Sequence, residues 1–470
     1  MKPNILIFQT DQHQAATIEP GHPCLAPNIR GFYEKGMRFT RAYTPCPLCS
    51  PARASMMTSL YPHAHGMLNN PHVAQAIRTG LKGKFPMFSD RLREAGYRLH
   101  WCGKWHVSNE EFPRDHGWDE PDEKTTKALW SHWPLRDFNP KGYSVEREGY
   151  RPYLLWGKPG AGVEAFSEYH WTNYAIGQVE KFGRGGKPWC LYLGLHGPHD
   201  PFVAPDEFMD KYDPSRVPRP ASWDDPLTDK PAVYRRHRDE LWVKMEWKDY
   251  SCAIAAYWAY VSFIDDLFGR VLAALEKTGQ AENTLVIFTS DHGEMAGSHG
   301  LFFKGVLAFE ECWRIPLAIR WPAGIKPGQV CEEFVNLLDL GPTMLELGLA
   351  RAMPGIHGRS FAPLLRGDVP ADWPQEHFGQ YFGSELLYTQ KVLVTKRHKY
   401  VFNGFDFDEL YDLVSDPAEM HNLYFSASHR PVLKEMAALM WNRARAVGDE
   451  ITCRDYPTTD LVPFGPGPEV

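Results

Sequence analysis

Two apolar runs far apart in the chain end in the same way. Residues 4–8 (Asn-Ile-Leu-Ile-Phe) lead into Asp11, and residues 284–290 (Thr-Leu-Val-Ile-Phe-Thr-Ser) lead into Asp291. A continuous apolar run of this length reads as a strand buried on both faces of a parallel sheet. Trp189–Leu195 is a third such run. Tyr250, Ile254, Tyr257, Val261, Ile264, Phe268, Val271 and Leu275 recur at alternating spacings of four and three, the stripe of a core-facing helix. Strands alternating with helices predict an α/β fold: a large doubly wound, mostly parallel sheet flanked by helices. In such a sheet the ligand crevice lies at the carboxyl ends of the strands, so Asp11 and Asp291 are expected to meet there.

At 470 residues the chain is long enough for one such sheet and a smaller unit. The texture changes after Pro354. Short β-rich runs at Lys391–Thr395 and Lys399–Phe402 precede a helix over roughly 430–447. We therefore expect a catalytic α/β domain over 1–364. A small C-terminal α+β domain with an antiparallel sheet follows over 365–470. Residues 120–162 and 200–238 are rich in Trp, Pro, Arg and Tyr without a clear period. They are expected to be long structureless insertions over the active face.

Several function classes fall away on charge and length. A net charge of −7 leaves no basic footprint for nucleic acid or an anionic membrane. The longest strongly apolar uncharged stretch, Ser251–Ile264, is too short to cross a bilayer. If Met1 is the native start, the absence of a signal-peptide pattern predicts a cytoplasmic protein. Nine scattered cysteines suit a reducing compartment better than a disulfide framework. Cys46 and Cys49 form one C-x-x-C without a second pair to support zinc.

Asp11 and Asp291 each have a second candidate ligand beside them, Gln12 and His292. Two carboxylates, an amide oxygen and an imidazole suit one divalent ion, Ca2+ in first place and Mn2+ as the alternative, better than tetrahedral Zn2+. The competing interpretation is that both acids merely cap the following segments.

The most specific segment runs from Pro47 to His63 and holds Cys49-x-Pro51-x-Arg53. With Ala26–Ile29, Lys35–Tyr43 and Leu60–His63 around it, it resembles the signature of the type I, formylglycine-dependent sulfatases of the alkaline phosphatase superfamily. The resemblance continues in order through Gly103–His106, Gly197–Phe202, Thr289–Glu294, Ser298–Lys304, Arg314–Pro322 and Glu409–Glu419. Ser59 departs from the glycine usual at that place in the family.

The resemblance implies a hydrolase of sulfate monoesters with a small-molecule substrate. It further implies that a formylglycine-generating enzyme converts Cys49 to Cα-formylglycine, whose hydrated aldehyde is the nucleophile and, with Asp11, Gln12, Asp291 and His292, a metal ligand. Arg53 would orient the nucleophile, and Lys104 and Lys304 would clamp sulfate oxygens. His106 would take a proton from the diol, and His199 would protonate the leaving oxygen.

The alternative is a phosphonate monoester or phosphodiester hydrolase of the same superfamily. Gln12, His292 and Asn69-Asn70 favour it; Lys104 and His106 oppose it. A catalytically dead binding protein would have lost some of these groups, and none is lost. Trp130, His132, Trp133 and Trp156 could stack on a sugar, cage a cationic head group such as choline, or simply pack an insertion onto the body. The sequence is compatible with a homo-oligomer.

Overall fold

The computed structural model describes residues 2–132, 141–183, 185–384, 387–404, 406–449 and 464–465. The three apolar runs form adjacent strands: Trp189–Gly194, Asn4–Thr10 and Thr284–Ser290 lie side by side in a seven-stranded sheet. Arg98–Gly103 closes one edge. On the other side follow Leu317–Arg320, Met37–Phe39 and Gln329–Cys331. Asn4–Thr10 runs parallel to both its neighbours, with Gln9 opposite Gly194 and Thr289. Only Leu317–Arg320 runs against its partners. The three central strands therefore end at the same level, which brings the residues after them to one edge.

Alternate side chains of each central strand enter different cores. Leu6, Phe8, Leu191, Leu193, Val286 and Phe288 face one side. Ile5, Ile7, Cys190, Tyr192, Leu285 and Ile287 face the other. The first side is covered by the Trp247–Lys277 helix, whose Phe268 ring lies 5.0 Å from both Phe8 and Phe288. Cys49–Thr58 and Leu340–Leu347 cover the second through Ala52, Met56, Leu340 and Met344. Apolar burial on both faces is why these strands lack polar alternation. Among the described residues no helix is long and apolar enough to cross a membrane.

The C-terminal unit is a four-stranded antiparallel sheet of Glu376–Gly383, Leu387–Thr395, His398–Asn403 and Glu409–Asp412 in sequential order. The Arg430–Ala446 helix packs Leu433, Met436, Met440 and Trp441 against its Leu393, Tyr400 and Leu410.

The insertions are not structureless. The first holds a helix, Glu123–Ser131, and a hairpin of Lys141–Val145 with Tyr153–Lys158. The second holds the helices Asp206–Met209 and Ala232–Leu241. The sequence concealed the hairpin because aromatics stand on both its faces and a bulge between Tyr143 and Ser144 breaks its period. Trp130 packs on Trp171 and His132 stacks on His170, both on the helix Ser167–Phe182. Trp156 packs against the main core. These three thus anchor the insertion; Trp133 lies outside the described residues.

Candidate active site

Most of the candidate side chains sit just beyond the carboxyl end of a strand or in the first turns of a helix beside it, and Lys304 follows the turn Ser298–Gly300. Asp11 follows Asn4–Thr10, Asp291 follows Thr284–Ser290, and Lys104 follows Arg98–Gly103. His199 lies in the loop after Trp189–Gly194. Backbone hydrogen bonds lace these loops together, from Asp11 N to the Gly197 carbonyl (3.2 Å) and from His13 N to that of His292 (3.0 Å). Gly103 is required where it stands: its φ is +87° and a Cβ would lie 2.0 Å from the Gly194 carbonyl oxygen.

Cys49 is the first residue of the helix Cys49–Thr58, and Arg53 follows one turn later on the same face. This explains the spacing of the motif, and Pro51 is tolerated because the first turn needs no amide donor. The Asn70 Oδ1 accepts from Ser50 N at 3.0 Å, satisfying one of that turn's free donors. Asn70 is thus tied to the helix that begins at Cys49. Ser59 ends the helix in the left-handed conformation (φ 56°), the place where glycine is favoured.

Asp11, Cys49, Asp291 and His292 each offer a ligand atom, and these atoms all lie within 4.8 Å of one another. All four side chains are buried. The Cys49 Sγ lies 3.5 Å from Asp11 Oδ1 and 3.2 Å from His292 Nε2. Gln12 stands beside them with φ 63°. Its Nε2 donates to Asp200 Oδ1 (2.8 Å) and Glu294 Oε2 (2.5 Å), and its Oε1 accepts from Lys304 Nζ. Two carboxylates on the nitrogen fix which way the amide faces: its oxygen points to the cation side. An oxygen-rich, buried set with one imidazole fits a hard divalent ion.

The cations converge on the same place. Arg53 Nε donates to Asp291 Oδ2 at 2.7 Å, and its Nη2 to Asp11 Oδ2 at 3.0 Å. Lys104 Nζ lies 2.6 Å from Asp11 Oδ2. Burial alone would raise Asp11, but the charges of Lys104 and Arg53 outweigh it and hold the carboxyl well below its ordinary range. Burial and the neighbouring Asp11 charge raise Asp291. Burial, reinforced by Asp11, pushes the Cys49 thiol up to about 12.

Lys304 Nζ lies 2.7 Å from His199 Nε2. A charged ammonium can only donate, so the His199 Nδ1 carries the proton and donates to the Asp200 carbonyl at 2.8 Å. Burial lowers His199 to about 4, which keeps this ring neutral. His106 (φ 53°) pairs its Nε2 with His72 Nδ1 at 3.1 Å; its buried Nδ1 has no hydrogen-bond partner among the described residues.

The metal-ligand and charged side chains expected from the sequence thus lie in one constellation or on its rim, whereas Trp130, His132 and Trp156 do not. Asp200, Glu294, Tyr153 and His72 were not expected. The first two lie inside the Gly197–Phe202 and Thr289–Glu294 segments, where an acid beside each candidate residue was a usable signal. Tyr153 and His72 carried none.

A family model described as "Sulfatase" matches residues 3–348, and one described as "N-sulphoglucosamine sulphohydrolase, C-terminal" matches residues 297–446. The "Uncharacterized sulfatase YidJ" of Escherichia coli is 30% identical over 440 residues, covering 90% of this chain and 83% of its own. The "Choline-sulfatase" of Rhizobium meliloti is 30% identical over 445 residues, covering 90% and 82%. The phosphonate monoester hydrolase from Silicibacter pomeroyi has the same fold, with a TM-score of 0.79 at 23% identity over 95% of this chain and 96% of that one. A match across three-quarters of the chain, over a site holding Cys49, the paired acids and the cations, places this chain in the sulfatase family of the alkaline phosphatase superfamily, the hydrolases of sulfate esters.

Proposed function

We propose that the chain hydrolyses small-molecule sulfate monoesters with a formylglycine at position 49 and one divalent ion held by Asp11, Gln12, residue 49, Asp291 and His292. The observation that carries this is the convergence of Arg53 and Lys104 on two buried carboxylates beside Cys49, with Lys304 on the adjoining Gln12 amide. An unconverted Cys49 would be a poor nucleophile here, because its thiol stays protonated far above neutral pH. The Sγ therefore stands where a hydroxyl of the hydrated aldehyde belongs. When bound, the ion supplies positive charge that eases deprotonation of the nucleophile, with Ca2+ the first candidate and Mn2+ the second.

Lys104 and Lys304 turn from their resting carboxylate and amide partners to the terminal sulfate oxygens, a fixed electrostatic clamp. His106 would take a proton, through its free Nδ1, from the diol hydroxyl whose oxygen bonds to sulfur as the ester S–O bond breaks. As the sulfate oxygens draw Lys304 off His199 Nε2, that nitrogen would take up a proton from solvent and hand it to the leaving oxygen as the S–O bond breaks. Loss of the second hydroxyl's proton to solvent, with cleavage of the C–O bond to the transferred sulfate, would release sulfate and restore the aldehyde. Residues 1–364 form the catalytic domain in this reading and 365–470 the C-terminal unit, supported by the antiparallel sheet that begins at Glu376.

The competing chemistry is phosphonate monoester hydrolysis. Both esters carry one negative charge, but phosphonate replaces one terminal oxygen with a carbon group. An ammonium facing that carbon loses its acceptor, at about 1–3 kcal/mol. Fully matured enzyme is therefore expected to prefer a sulfate monoester over a phosphonate monoester with the same leaving group by about 5- to 150-fold in kcat/KM. Lys104→Ala should lower the sulfate value more. A preference for the phosphonate would overturn the proposal. The same assay run on aryl, sugar and choline sulfates separates the alcohol classes, of which the choline ester is suggested by the Rhizobium meliloti relative.

A further inference from the structure

The hairpin of Lys141–Val145 and Tyr153–Lys158 reaches into the site by one side chain. Its backbone is stitched to the loop that carries His199: Phe202 N donates to the Leu155 carbonyl at 2.7 Å, and Gly157 N to that of Phe202 at 3.2 Å. From this fixed strand the Tyr153 hydroxyl donates to Asp200 Oδ2. The Tyr153 ring lies edge-on to Phe303, 5.8 Å away, and Phe303 immediately precedes Lys304.

Asp200 is the hub this hydroxyl serves. Its Oδ1 accepts from Gln12 Nε2 at 2.8 Å, and lies 3.3 Å from His199 Nδ1 and 3.8 Å from Lys304 Nζ. Its backbone carbonyl accepts from the same His199 Nδ1 at 2.8 Å. Among the described residues Tyr153 is the donor to the other oxygen, Oδ2. The terminal torsion of an aspartate is soft, so a carboxylate keeps one orientation only when donors hold both its oxygens.

We propose that Tyr153 is a positioning residue: by fixing the Asp200 carboxylate it holds the His199 ring with Nε2 toward the leaving oxygen. The proposal rests on the reading of His199 as the group that protonates that oxygen. Tyr153 touches no reacting atom itself. Its removal does not touch residue 49, and Gln12 keeps Glu294 Oε2 (2.5 Å) while Lys304 keeps Gln12 Oε1, so the change falls mainly on the aim of the proton donor. Losses of about 10- to 100-fold are usual when the partner that orients a site residue is removed.

The loss should depend on the leaving group. A nitrophenolate departs without a proton, whereas an alkoxide cannot, so misaiming His199 matters only for the second. The test is steady-state kinetics of matured, metal-loaded Tyr153→Phe on a series of sulfate esters from nitrophenyl to alkyl. The expected result is a kcat within about threefold of the parent on nitrophenyl sulfate and about 10- to 100-fold lower on an alkyl sulfate. KM should stay nearly constant throughout. His199→Asn is the control and should show the same trend, more steeply. If His199→Asn is selective for poor leaving groups and Tyr153→Phe slows every ester equally, the positioning role is wrong. If His199→Asn shows no selectivity either, the assignment of His199 falls and this proposal falls with it.

Discussion

Replacing Arg53 by methionine keeps the length of the side chain and deletes its charge from a fully buried place. The guanidinium lies between two carboxylates, 2.7 Å from Asp291 Oδ2 and 3.0 Å from Asp11 Oδ2. Lys104 still covers Asp11 at 2.6 Å in the variant, so Asp291 is the acid left without its counter-charge. Removing one partner of a buried pair is destabilising by about 3–5 kcal/mol, and we expect a loss in that range for the metal-free protein. Arg53→Lys retains the charge but cannot fork to both acids, and should lose about half as much. Denaturant unfolding followed by tryptophan fluorescence measures both variants against the parent. Added Ca2+ should narrow the deficit, because an ion bound by the folded state alone restores positive charge between the acids. A loss below about 1 kcal/mol, or a deficit that Ca2+ leaves unchanged, would refute Arg53 as the counter-charge of Asp291.

Peptide mass spectrometry after coexpression with a formylglycine-generating enzyme should show residue 49 about 18 Da lighter than cysteine; full activity in Cys49→Ala would remove it as the nucleophile. Asp11→Ala and Asp291→Ala should each abolish bound metal by elemental analysis together with turnover. Gln12→Ala should weaken binding less, since a neutral amide oxygen attracts a cation less than a carboxylate does. Ser59→Gly should raise stability by about 0.5–1 kcal/mol: left-handed backbone strains a serine, and the greater freedom of unfolded glycine offsets only part of that gain. An unchanged or lower unfolding midpoint would show that Ser59 is not strained there.

Much of the site was legible because its chemistry is carried by strand ends. Burial on both faces forces a long apolar run, and a parallel sheet brings the ends of such runs to one edge, so Asp11 and Asp291 could be paired from their positions alone. The motif holding Cys49 and Arg53 was equally visible, and the structure explains its spacing as one turn of the helix Cys49–Thr58. What only the tertiary structure decided is every partner chosen across the chain by packing. Leu317–Arg320 runs antiparallel beside a parallel sheet. Trp130 lies on Trp171 rather than over the site. The amide of Gln12 is oriented by Asp200 and Glu294, and Asp200 is held in turn by a tyrosine from a hairpin with no clear period. A hydrogen bond between residues so far apart depends on where two loops come to rest above the sheet, and no local pattern of side chains records that.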